Sequence, residues 1–164
     1  MRRNVRRPVM ILLAVGALSG CASGLVTGSV SLPGQPAAPL TMTWQSGLFG
    51  ESGKISAVMP DGERFSGTYV VVTRGTSWSK IEPAWKGEEP GDAQGQIDVS
   101  MWGAAQNQED FASTHLNKAI ATLKSDRGTT MLCRFALDSG EAGMGGGGTG
   151  ECQTSKGVKI TAQF

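Results

Sequence analysis

Apolar residues recur at every second position through much of this chain, which is the period of a half-buried β-strand. Leu40, Met42 and Trp44 share one face before Gly47, Gly50 and Gly53 break the run. Ile55, Ala57 and Met59 resume it, and Phe65, Gly67, Tyr69 and Val71 carry it back. Between them, Pro60-Asp61-Gly62 is turn chemistry: proline fixes φ and glycine supplies a positive one. Lys54 to Arg74 therefore reads as a hairpin. Its return strand ends in Tyr69-Val70-Val71-Val72, apolar on both faces as in a central strand. Ile97, Val99 and Met101 alternate with Asp98, Ser100 and Trp102. Met131, Cys133, Phe135 and Leu137 form one face of a strand over 129–138. The last hairpin covers 151–164 and turns at Ser155-Lys156-Gly157, with Val158, Ile160, Ala162 and Phe164 on one face. Ending on an apolar strand residue ties the C-terminus into the sheet.

Other stretches are less regular. Residues 106–125 fit two patterns: a helix with Phe111, Leu116, Ala119, Ile120 and Leu123 on one face, or a loop or helical turn to His115 followed by a strand. The hairpin turn signal Ser125-Asp126-Arg127-Gly128 favours the second. Residues 75–96 form a long irregular stretch containing Trp78 and Trp85 among Lys80, Glu82, Lys86, Glu88 and Glu89. Loops of this length are usually functional or disordered, and two tryptophans argue against simple disorder. The rings either form a recognition surface for a glycan or a protein partner, or cap an open end of the β core. Residues 139–150 are glycine-rich but lack the lysine and following helix of a phosphate loop, so they read as a flexible connection. Residues 22–39, with Gly24, Gly28, Pro33, Gly34, Pro36 and Pro39, read as an extended tether, with a short strand over 28–32 as an option.

These elements predict an all-β fold: a small antiparallel barrel or sandwich of hairpins with one disulfide and room for one short helix. The segment from Gly53-Lys54-Ile55 through Pro60-Asp61-Gly62-Glu63-Arg64-Phe65-Ser66-Gly67-Thr68-Tyr69 resembles a single MORN-type hairpin. No tandem copies follow, so the resemblance implies a hairpin shape and no function.

The N-terminus follows a different pattern. Arg2, Arg3, Arg6 and Arg7 precede an apolar run, Val9 to Leu18, of about ten residues. A helix needs roughly twenty to span a bilayer, so this is a secretory signal and not a transmembrane segment. Arg6-Arg7 also fits a loose twin-arginine pattern. The run ends in Leu18-Ser19-Gly20-Cys21, which resembles the lipobox of bacterial lipoproteins. The resemblance implies cleavage before Cys21 and a diacylglycerol on its sulfur; two or more acyl chains give stable anchoring. Residue 22 is Ala and not Asp, which by the same resemblance favours the outer membrane, facing the periplasm, in a Gram-negative cell. The expected organisation is a signal peptide over 1–20, the lipidated cysteine and tether over 21–39, and a β-rich domain over 40–164.

Processing changes the charge. The precursor has 15 basic and 14 acidic residues and a net charge of +1. Four arginines leave with the signal, so the mature chain holds 11 basic against 14 acidic residues, a net of −3. No basic run survives to hold nucleic acid. Cys133 and Cys152 remain, and an exported pair reads as a structural disulfide. Closing a loop of about twenty residues contributes roughly 3 kcal/mol.

Catalytic constellations are sparse. His115 is the one histidine, and no Gly-x-Ser-x-Gly elbow surrounds any serine. Glu88 and Glu89 are adjacent, as are Glu109 and Asp110, so neither pair flanks a common substrate. No enzyme, metal or cofactor is expected. The leading reading is a lipid-anchored envelope protein with a non-catalytic β domain for binding or structural support. Its partners would be the membrane, through Cys21, and another envelope protein or a glycan, through Trp78 and Trp85. A secreted inhibitor or protective factor against a host or competitor enzyme is the alternative, and an enzyme of unknown class comes third.

Overall fold

The computed structural model describes residues 22–32, 34–47, 50–76 and 116–164. Eight strands follow one another in chain order: β1 (Ser23–Ser31), β2 (Ala38–Ser46), β3 (Ser52–Val58), β4 (Arg64–Val72), β5 (Lys118–Ser125), β6 (Thr130–Leu137), β7 (Gly148–Thr154) and β8 (Lys159–Gln163). Each pairs antiparallel with the next, and β1 pairs with β8 to close a barrel. Closure leaves no sheet edge open to another chain.

Period-two alternation sets what faces inward. Met42, Ile55, Tyr69, Leu123, Met131, Phe135 and Ile160 are fully buried side chains of the interior. An eight-stranded barrel has an interior just wide enough for side chains to fill. Large and small residues must therefore alternate around it, and three cross-strand pairs show how. Trp44 lies opposite Gly24, Tyr69 opposite Gly53, and Phe135 opposite Gly150. A methyl group on Gly24 or Gly53 would come within 2.7 Å of the facing ring, and one on Gly150 would run into Phe135. The glycines make room for rings that fill the barrel.

Two expectations are corrected by this arrangement. Residues 23–31 are not a tether but β1, the strand that closes the barrel, so the domain begins near Ser23 and not near Leu40. Its inward face is Gly24, Val26, Gly28 and Val30, with Val26 and Val30 fully buried. Residues 139–150 are not a loose connection. They contain a 3-10 turn, Gly143–Gly146, that buries Met144, and they begin β7 at Gly148. Residues 118–125 are a strand, the second of the two options for that region.

Cys133 and Cys152 are bonded, as register partners on β6 and β7, with 0% and 1% of their surface exposed. The C-terminus is tied in: Gly148 and Phe164 exchange backbone hydrogen bonds of 2.9 and 3.0 Å, and the Phe164 ring meets Phe135 edge-on at 5.7 Å.

The up-and-down order gives the barrel two unlike ends. The hairpin turns at 32–37, 59–63, 126–129 and 155–158 form one rim. The start of β1, residues 73–76 and 138–147, and Phe164 gather at the other.

Candidate functional site

The turn rim holds one buried carboxylate. Glu63 follows the Pro60-Asp61-Gly62 turn, where the Gly62 N–H donates to the Met59 carbonyl and the Met59 N–H to the Glu63 carbonyl, both at 2.9 Å. The turn aims the Glu63 side chain across the barrel end. Its Oε1 accepts from Ser125 Oγ at 2.6 Å and Thr129 Oγ1 at 2.5 Å, and its Oε2 accepts from Lys156 Nζ at 3.3 Å. Beside it, exposed Arg127 pairs with Asp61 at 3.0 Å. One carboxylate thus links three of the four hairpin turns.

Burial alone would push the Glu63 carboxyl upward. The hydrogen bonds from Ser125, Thr129 and Lys156, with the Lys156 charge, outweigh it and hold the carboxyl below its ordinary range. A general base or acid needs the opposite tuning, toward the working pH. Glu63 is ionised and saturated with donors, so it acts as a structural pin.

Within the barrel the polar groups are few. The Tyr69 hydroxyl is buried, has no hydrogen-bond partner among the described residues, and has its pKa pushed up by burial. Among the described residues no three His, Cys, Asp or Glu side chains are grouped to hold a metal.

On the outer wall, Ser23, Thr43, Gln45, Lys54, Ser56 and Ser66 line a shallow concavity of about 500 Å³ over β1 to β4. Thr43 and Ser56 share a hydrogen bond of 2.7 Å there. Hydroxyls, an amide and one ammonium on an open surface can hydrogen-bond a polar partner. They do not form a nucleophile with a base.

The alternation itself is informative. A membrane-spanning barrel presents apolar residues to lipid and polar ones to its lumen. Here the lumen is apolar and the β1–β3 wall is rich in hydroxyls, so the pattern is the reverse. No helix among the described residues is long and apolar enough to cross a membrane.

Of the residues singled out by sequence, the structure joins Cys133 to Cys152. Cys21, Trp78, Trp85 and His115 lie outside the described residues, as do the strand expected over 97–102 and the helix or loop expected over 106–115. Glu63 was missed. Its one sequence signal is a glutamate directly after a Pro-Asp-Gly turn, which reads as a solvated charge until two other turns converge on it. Comparison with known protein families, curated proteins and solved structures finds no match.

Proposed function

We propose that this protein is an exported, lipid-anchored envelope component whose barrel serves binding or structural support and not catalysis. The anchor reading rests on Leu18-Ser19-Gly20-Cys21 behind a basic, then apolar, N-terminus. The Cys133–Cys152 bond suits an oxidising compartment outside the cytoplasm. The hydroxyl-rich outside of β1–β3 and apolar inside suit a barrel beside a membrane and not within it.

The observation that carries the reading furthest is the distance between anchor and barrel. Cys21 is followed by Ala22, and Ala22 is already part of the fold. Its carbonyl accepts from the Ser46 N–H at 2.7 Å and from Ser46 Oγ at 3.1 Å. Ser23 opens β1. With no spacer, an acylated Cys21 would hold the barrel directly on the bilayer by its N-terminal rim, leaving the turn rim facing away. Nine residues of strand extend about 30 Å, so a partner would be met close to the membrane surface.

The test is detergent phase partitioning of the protein from envelope fractions. The wild type is expected in the detergent phase and Cys21→Ser in the aqueous phase. Equal partitioning of the two would overturn the anchor.

A further inference from the structure

The wall over β1–β4 differs from the rest of the chain in its charge. Beyond residue 21 the sequence holds 14 acidic against 11 basic residues, yet β1, β2, β3 and β4 contain no Asp or Glu. Their charged side chains are Lys54 and Arg64. The nearest acids in sequence, Glu51 and Asp61, lie in the connections before and after β3. Arg64 has a carboxylate beside it, since its backbone N–H donates to Asp126 Oδ1 at 3.3 Å. Lys54 is exposed and pairs with no carboxylate among the described residues.

The register sets that ammonium in a polar grid. Lys54 lies between Gln45 on β2 and Thr68 on β4, and in the next row Ser56 lies between Thr43 and Ser66. All six side chains are exposed. Strands stand about 4.8 Å apart and residues of one face about 7 Å apart along a strand, so the six cover a patch of about 10 by 7 Å. Thr43 and Ser56 share their hydrogen bond of 2.7 Å. Among the described residues, Gln45, Ser66 and Thr68 keep their side-chain donors and acceptors for an outside partner. The surface is also dished: most of the grid borders the open concavity of about 500 Å³, a volume in the range of small-ligand clefts.

The chemistry of the patch selects its ligand. The Lys54 ammonium, donor only and without a counter-charge, calls for an anion. The hydroxyls and the amide donate and accept, as the hydroxyls of a sugar do in return. A protein partner is usually held by large buried anchors. The large apolar side chains exposed on this wall are Leu25 and Val58, and neither borders the concavity. Nucleic acid asks for a run of cations and for stacking rings, and one ammonium supplies neither.

We propose that the concavity over β1–β4 binds an acidic saccharide. Lys54 Nζ pairs with its carboxylate or phosphate, and Thr43, Gln45, Ser56 and Ser66 hydrogen-bond its hydroxyls. The inference rests on the reading of the barrel as a binding domain and does not need the lipid anchor, which detergent partitioning tests separately.

A glycan array of carboxylated, phosphorylated and neutral saccharides, probed with the full protein purified from the envelope in detergent, tests the proposal. Acidic saccharides are expected to bind at least about tenfold more tightly than their neutral counterparts, as one charge-assisted hydrogen bond implies. Lys54→Gln should remove that preference and Lys54→Arg should retain it, both with unchanged circular dichroism. Lys159→Gln makes the same charge change at an exposed residue of β8, outside the concavity, and should leave the preference intact. Absence of binding to every acidic saccharide, or equal losses in Lys54→Gln and Lys159→Gln, would overturn the proposal. Binding to neutral saccharides alone would keep the barrel a binding domain and overturn the acidic class. Lys54-dependent binding to phosphatidylglycerol vesicles, or to an aspartate-rich peptide, with none to saccharides, would overturn it in favour of lipid headgroups or an acidic protein.

Discussion

The outer walls of β1–β3 and β4–β6 are built on the same alternation and end in opposite surroundings. The first presents Thr27, Ser29, Thr41, Thr43 and Ser56 to solvent, with hydroxyl pairs such as Ser29–Thr161 at 3.1 Å. The second presents Val70, Val72, Ile120 and Leu132 and buries them. Both walls enclose the same apolar interior. The inward residues make the barrel, and the outward residues set each wall's character: hydroxyls that meet water on one side, apolar side chains that are buried on the other. An up-and-down barrel thus gains a distinct side without any change in its backbone.

The largest effect should separate the walls directly. Ile120→Asp places a charge in a covered site and is expected to cost about 3–5 kcal/mol in urea unfolding, as an uncompensated buried charge does. Leu25→Asp, on an exposed site of the other wall, should stay within about 0.5 kcal/mol of wild type. Similar losses for both would erase the distinction. Next comes the staple beneath the apolar wall. Cys133→Ala opens the β6–β7 bond and is expected to cost about 2–5 kcal/mol in protein taken from the envelope. Free thiols on both cysteines in that protein would remove the basis for this expectation.

The smallest effect belongs to the turn rim, which both walls share. The folded Glu63 carboxyl lies below its ordinary value of 4.5, so its ion and hydrogen bonds stabilise the fold fully above that value. That contribution is lost as pH falls from about 4.5 through the lowered folded value. Thermal melts of wild type should weaken across this acid range, and Glu63→Gln should flatten that part of the profile. An unchanged profile in the variant would show that Glu63 does not pin the rim.

The hairpins with large inward residues were legible from the sequence. Ile55, Ala57, Phe65 and Tyr69, like Met131, Cys133 and Phe135, mark their strands by period two alone, and all are buried as the pattern requires. The double-sided run at Tyr69–Val72 also announced a strand buried on both faces. The two misread segments share a cause. β1 turns Gly24 and Gly28 inward and β7 turns Gly148 and Gly150 inward. Glycine scores as a breaker or linker, yet at Gly24 and Gly150 it is the space that Trp44 and Phe135 occupy. That complementarity belongs to a pair of strands, so neither strand shows it alone. Losing β1 also concealed closure, because the barrel closes through β1 and β8. Glu63 was hidden for the same reason, since its partners Ser125, Thr129 and Lys156 come from two other hairpins.

The most direct test of the account is the intact mass of the protein extracted from the envelope. A barrel held on the membrane through its first residue predicts loss of residues 1–20, a diacylglyceryl group on Cys21, and a Cys133–Cys152 bond resistant to alkylation without reductant. A full-length chain, or a cleaved chain with an unmodified Cys21, would contradict it and leave the barrel without its membrane anchor.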